Sequence, residues 1–361
     1  MKWPLHGSNP QYLYEAAGLP FPKSLLDFSA NINPLGPPAV LQKRWGDLFQ
    51  GMGTYPDPHM ASLKEKISQR EGVEPGQILI GNGGAEIISL IGRLLSGKKV
   101  MIVEPAFSEY KKACLVNNCD VSYYRLSDGW EIHLDDLIGK LQGMDAVFLC
   151  NPNNPTGMYY KTSILLPLLK ACKHENCFLI IDEAFYDFTA EYEPLVPFLK
   201  DFPQLILMRS MTKVFAIPGL RLGYLMADGG LIEKLSEFQP HWSVNSVALQ
   251  AGEWCLEDEN HIFKTIQFIQ SERNVLFDFY QEHHFEVSNT AINFYLLRDI
   301  GLDDQYPLFE FLLKRGIVPR HTFNFTGLDG RWLRFAIRTS DENRRLMEAM
   351  QAWRSLNPLF L

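Results

Sequence analysis

The chain has 361 residues, too many for one small core and enough for about two domains. Apolar residues make up 46% and charged residues 21%, a balance that excludes a disordered or fibrous chain. A net charge of −8 with no basic stripe argues against a nucleic-acid surface, and no apolar run is long enough to span a bilayer.

The opening Met1-Lys2-Trp3-Pro4 soon turns polar, unlike a secretory leader. Residues 1–58 are rich in Pro, Gly and Asn and read as an extended arm. Within it, Leu26 to Gly36 is a polar, turn-prone run, which by itself reads as a surface loop. Thr54-Tyr55-Pro56-Asp57-Pro58 is a further turn carrying an aromatic hydroxyl.

From residue 60 the pattern becomes regular. Met60–Arg70 predicts a helix and Gln77–Ile80 a strand. That strand runs into Gly81-Asn82-Gly83-Gly84-Ala85-Glu86 and an apolar helix, Ile87–Leu95. A strand, a glycine turn and a helix N-terminus make an anion site, because backbone N–H groups and the helix dipole both face the turn. The turn lacks both the dinucleotide fingerprint and the Lys-Ser/Thr of a P-loop.

Strands and helices then alternate. Strands are predicted at Lys99–Val103, Ala146–Cys150, Phe178–Ile181 and Leu205–Met208, with helices at Ser108–Val116 and Thr162–Lys173 between them. This order predicts an α/β fold, a mostly parallel sheet flanked by helices. Ligands of such sheets collect beyond the carboxyl ends of the strands, where these polar turns should meet. Helices are also expected at Val244–Leu256, Ile262–His283, Leu308–Arg315 and Asn343–Trp353, with strands at Asn293–Arg298 and Trp332–Ile337. The expected division is an arm at 1–45 that joins a small domain, a large domain at 46–275, and a smaller α+β domain at 276–361.

The chemistry centres on Ser210-Met211-Thr212-Lys213, followed by the turn Pro218-Gly219 and by Arg221. Burial and cationic neighbours lower an ammonium pKa and free a nucleophilic amine. Arg221 is a fixed cation suited to a phosphate. Alone, the stretch reads equally as a surface loop with two basic residues. The six cysteines are sparse and form no Cys-x-x-Cys pair, so they suggest reduced cytoplasmic thiols, and no metal site is expected. Cys150 reads as a small core residue, and His283-His284 as a solvated helix end.

Asn151-Pro152-Asn153-Asn154-Pro155-Thr156-Gly157, Asp182-Glu183-Ala184-Phe185, and Ser210 to Lys213 with Arg221 occur in this order. Together they resemble the fold-type-I pyridoxal-phosphate enzymes, in the branch of the histidinol-phosphate aminotransferases. The resemblance covers nearly the whole chain. Within that branch, Asp27 to Gly36, Asp182 to Phe185 and Asn324-Phe325-Thr326-Gly327-Leu328 resemble the L-threonine-O-3-phosphate decarboxylases of cobalamin biosynthesis.

The resemblance implies pyridoxal 5'-phosphate as cofactor, with Lys213 as its covalent anchor and proton carrier and Asp182 as partner of the pyridine nitrogen. It implies Asn154 on the ring 3-oxygen, Phe107 stacked on the ring, and Gly84, Ala85, Ser210 and Arg221 around the phosphate. Tyr55 would reach the phosphate of a second subunit, which implies a homodimer. Arg334 matches the arginine that grips a substrate carboxylate. Arg338, four residues on, would share its face if the strand continues, and it would be solvated if the strand ends first. Arg320 and His321 are further candidates for a substrate phosphate, and His6, Ser29 and Asn31 for a cover from the arm.

One departure stands out. The aminotransferases carry a tyrosine at the position of Phe185. Its absence favours decarboxylation of threonine phosphate to (R)-1-amino-2-propanol O-2-phosphate. The alternatives are transamination of an amino phosphate such as histidinol phosphate, or a catalytically silent cofactor-binding protein.

Overall fold

The computed structural model describes residues 3–127 and 129–359; Met1 and Lys2, from the polar opening, lie outside the described residues. Seven strands build the central sheet: β2 (Ile78–Gly81), β3 (Lys99–Glu104), β4 (Asp120–Arg125), β5 (Ala146–Cys150), β6 (Phe178–Asp182), β7 (Leu205–Ser210) and β8 (Gly223–Met226). Their order is β2-β8-β7-β6-β5-β3-β4. β8 runs antiparallel to both neighbours and every other pairing is parallel.

Both faces of this sheet are covered, which is why its inner strands read as unbroken apolar runs. Met101, Val103, Val147, Leu149, Leu205 and Leu207 face one core layer, while Val100, Ile102, Phe148, Ile206 and Met208 face the other. The alternation is the period of two of a β-strand. Helix Gly83–Leu94 buries Ile87, Ile88, Leu90 and Ile91 on the second layer, at the spacing of one helical face.

A second sheet holds β9 (Phe285–Val287), β10 (Phe294–Asp299), β12 (Arg320–His321) and β13 (Leu333–Ala336), all antiparallel, in the order β12-β13-β10-β9. Helices Tyr306–Leu313 and Ser340–Leu356 accompany it.

The N-terminal stretch is not the extended arm that its Pro and Gly content suggested. It forms helices Pro10–Ala17, Ala39–Lys43 and Trp45–Gly51, short enough that their periodicity is hidden among turn residues. β1 (Leu26–Asp27) pairs in parallel with β11 (Ile317–Val318), and the Tyr14 hydroxyl donates to the Leu313 carbonyl at 2.7 Å. The run from Leu26 to Gly36 is no surface loop either, because Ser29, Asn31 and Asn33 are buried. Asn33 donates through its backbone N–H to the Lys213 carbonyl at 3.1 Å and through Nδ2 to Val214 O and Thr265 Oγ1 at 2.7 Å. The arm therefore clamps the turn that carries Lys213.

Candidate active site

β2, β3, β5, β6 and β7 all run in one direction, so the segments that follow them emerge at one edge. There they enclose a cavity of about 340 Å³. Its walls include Gly84 and Ala85 after β2, Phe107 after β3, Asn154 after β5, Asp182 on β6, and Ser210, Lys213 and Arg221 around and after β7. Arg320 and Arg334 close it from the small sheet, and His6, Ser29 and Asn31 from the arm.

Lys213 sits on the short helix Met211–Val214, directly after β7. Burial, with help from Arg221 and Arg334, lowers its pKa to about 8, against the pull of Asp182. Asp182 is the last residue of β6. Burial raises its pKa, while Tyr110, Ala184 and Lys213 act in the opposite direction. Its Oδ2 accepts from the Tyr110 hydroxyl at 2.5 Å and its Oδ1 from the Ala184 N–H at 2.9 Å.

Beneath these two residues lies a buried ion network. Glu183, next to Asp182, accepts from Arg209 Nε at 3.0 Å, and Arg209 immediately precedes Ser210. Arg209 also meets Glu71 and donates to the Tyr192 hydroxyl at 2.8 Å. The network ties the ends of β6 and β7 together.

Residues 81–86, where an anion site was expected, lead from β2 into helix Gly83–Leu94. Helix Gly83–Leu94 starts without a side-chain cap, so its first N–H groups are free for a ligand. Gly83 has φ +76°, and a Cβ there would stand 2.6 Å from Arg221 Nη2. Only glycine lets the guanidinium approach the helix start this closely.

Arg320 and Arg334 are direct cross-strand neighbours on β12 and β13. Both are buried, and burial pushes both guanidinium pKa values down. Their hydrogen bonds go to uncharged acceptors. Arg320 donates to the His321 and Leu5 carbonyls and to Asn324 Oδ1, and Arg334 to Ser29 O and Asn154 Oδ1. Arg334 Nε and Asn31 Oδ1 are buried without a partner.

Three candidates do not line the cavity. Tyr55 is 81% exposed and packs on Trp242, with ring centroids 4.9 Å apart. Arg338 does not line the cavity, because β13 ends at Ala336 and Thr339 caps the next helix. Its guanidinium pairs with Glu342 at 3.0 Å. His321 contributes behind the wall, between Arg320 and the Pro4 carbonyl, and burial lowers its pKa to about 3. Tyr110 lines the cavity and was not singled out from the sequence. A signal existed, since Tyr110 lies in the first turn of helix Ser108–Val116, three residues after Phe107 at its N-cap.

These residues fit pyridoxal phosphate group by group. The cavity offers a part-deprotonated amine for an aldehyde, a buried carboxylate for a pyridine nitrogen, a free Asn154 amide for a ring oxygen, and a helix N-terminus with Arg221 for a phosphate. Among the described residues, no group of three or more His, Cys, Asp or Glu is placed to hold a metal, and no helix is long and apolar enough to cross a membrane.

The chain belongs to the aminotransferase class I and II family, whose profile matches residues 23–350. It is 36% identical to the threonine-phosphate decarboxylase of Salmonella typhimurium over 96% of this chain and 95% of that protein. Among solved structures, the histidinol-phosphate aminotransferase of Clostridium acetobutylicum matches with a TM-score of 0.88 at 32% identity, covering 92% of this chain and all of that one. The L-threonine-O-3-phosphate decarboxylase of Porphyromonas gingivalis matches with a TM-score of 0.81 at 25% identity, covering 91% of this chain and 99% of that one.

Proposed function

We infer that this chain is a pyridoxal-phosphate-dependent decarboxylase of L-threonine O-3-phosphate that forms (R)-1-amino-2-propanol O-2-phosphate for cobalamin biosynthesis. The observation that carries the reading is the Arg320–Arg334 pair. Two like charges opposed across a ladder and buried are costly, and among the described residues no carboxylate hydrogen-bonds to either. A guanidinium stays protonated, so the site retains two positive charges awaiting anions. A substrate bearing one carboxylate and one phosphate supplies both.

Bound pyridoxal phosphate would withdraw electrons from the substrate α-carbon, so that a bond there can break heterolytically. Lys213 would anchor it, Asp182 would hold its ring nitrogen protonated, and Phe107 would cover one face. Gly84, Ala85, Ser210 and Arg221 would hold its phosphate. Arg334 would orient the substrate carboxylate, and Arg320, with Asn31 and His6, the substrate phosphate, while the arm excludes water. Lys213 Nζ would then deliver a proton to the α-carbon once the carboxylate has left. Phe185 lines the cavity edge-on to Phe294, 4.9 Å away, and offers no hydroxyl to the ring oxygen or to an α-proton.

Exposed Trp45, Phe49, Met52, Tyr55 and Trp242 support a homodimer in which Tyr55 crosses to the partner's cofactor phosphate. Six free, buried cysteines support a reducing, cytoplasmic setting.

A second reading, transamination of histidinol phosphate, is favoured by the likeness to the Clostridium enzyme. Phosphorus NMR of the reaction with threonine phosphate tests the choice. Conversion to a single amino-alcohol phosphate without an added oxo acid supports decarboxylation, and an unchanged spectrum refutes it.

A further inference from the structure

Asp182 is held from two sides. Its Oδ1 takes the Ala184 N–H at 2.9 Å and its Oδ2 the Tyr110 O–H at 2.5 Å. We propose that Tyr110 is a positioning residue for the cofactor ring nitrogen: its hydroxyl keeps the Asp182 carboxylate ionised and aimed into the cavity. The proposal rests on the pyridoxal-phosphate reading.

A carboxylate in a low-dielectric site favours its neutral form unless donors stabilise the charge. Asp182 has no salt-bridge partner within 4.0 Å among the described residues; Lys213 acts on it only as a cation further off. Among the groups that favour its ionised form, the two hydrogen bonds act more strongly than Lys213. The Ala184 N–H belongs to the backbone of the following turn, so Tyr110 supplies the side-chain donor.

Tyr110 is built for one orientation. Its ring is 1% exposed, stacks on Phe148 at 5.1 Å and 14°, and meets Phe107 edge-on at 5.9 Å and 82°. Packing on two sides removes the rotamer freedom that would let the hydroxyl turn away. Burial raises the phenol pKa well above its ordinary value, so the group remains a donor. A carboxylate has about four lone-pair sites, and two donors leave others for a ring N–H. Tyr110 thus joins the residue proposed to hold the ring nitrogen to Phe107, proposed to cover the ring.

The bland account is that Tyr110 only fills the core and happens to find an acceptor. A double-mutant cycle on cofactor affinity separates the two. Apo-protein of the parent chain, Tyr110→Phe, Asp182→Ala and the double variant is titrated with pyridoxal phosphate by tryptophan fluorescence. Tyr110→Phe keeps the ring and its packing and removes only the hydroxyl. It should weaken binding by about tenfold or more in the parent, the worth of one hydrogen bond to a charged acceptor. In the Asp182→Ala background the further loss should stay under about threefold. The same titration with 1-deazapyridoxal phosphate, which carries C–H in place of the ring nitrogen, should show no difference between parent and Tyr110→Phe. An equal loss in both backgrounds, an equal loss with both ligands, or no loss in the parent overturns the proposal. A parent apo-protein that binds no pyridoxal phosphate would instead refute the reading beneath it.

Discussion

Arg334 donates through Nη1 to Asn154 Oδ1 at 2.5 Å, which joins the proposed grip on the substrate to the proposed grip on the cofactor. The bond occupies the asparagine oxygen and leaves Nδ2 for the ring. The arginine is held from the other side by Ser29 O at 2.9 Å, and Ser29 in turn donates to Asp27 from Oγ and from its backbone N–H. One line of hydrogen bonds thus runs from the arm through the small sheet to the loop after β5.

Arg334→Ala should lower kcat/KM for threonine phosphate by about 10- to 100-fold, as expected for losing a charged grip on a carboxylate. Pyridoxal-phosphate affinity should change by no more than about threefold, since Asn154 keeps its amide. Steady-state kinetics and a cofactor titration check this. Equal losses of both would contradict the assigned role.

Lys213 should titrate near pH 8 in the apo-protein, because burial and two arginines disfavour its charged form. Below that pH the amine is protonated and unreactive; above it the amine is free. The rate of labelling by an amine-directed reagent should rise through this midpoint. Arg334→Gln removes one cation, so the midpoint should move up. A midpoint unchanged in the variant, or one near the ordinary 10.5 in the parent, would contradict the account. The same shift makes the Lys213 contribution to apo-protein stability increase with pH between about 8 and 10.5, where the unfolded chain binds the extra proton.

The buried arginine pair should bind anions even without the cofactor. Inorganic phosphate should stabilise the apo-protein by about 2.7 kcal/mol at 100 times its dissociation constant, and its thermal midpoint should rise accordingly. Arg320→Met should lose part of this rise in differential scanning calorimetry, the remainder belonging to the helix N-terminus with Arg221. A variant that responds as the parent does would place the anion elsewhere.

Arg209→Met leaves Glu183 buried without its ion-pair partner. Denaturant unfolding of the apo-protein should show a loss of about 3–5 kcal/mol. A loss below 1 kcal/mol would mean that the network does not hold β6 and β7 together.

Much of the large sheet was legible because its inner strands are buried on both faces and read as apolar runs, as in Ala146–Cys150, predicted to the residue. The edge strand Asp120–Arg125 was missed, since its half-exposed sequence alternates polar and apolar residues without a long run. The N-terminal helices were hidden because Pro10 opens one and Pro37-Pro38 precedes the next, residues that read as turns in isolation. The motif turns gathered at one edge because topology puts them there. Arg338 had two readings, and the structure gives the one in which the strand ends first, at Ala336, with the Arg338 guanidinium paired to Glu342. Tyr110 was passed over because its partner, Asp182, is distant in sequence and close only through the register of the sheet.

The central claim is that the carboxylate leaves and the amine stays. The most direct measurement is carbon dioxide released per threonine phosphate consumed by the holoenzyme, with and without 2-oxoglutarate. One carbon dioxide per substrate, independent of the oxo acid and with no glutamate formed, is the predicted result. Turnover that requires 2-oxoglutarate and yields glutamate without carbon dioxide would contradict it.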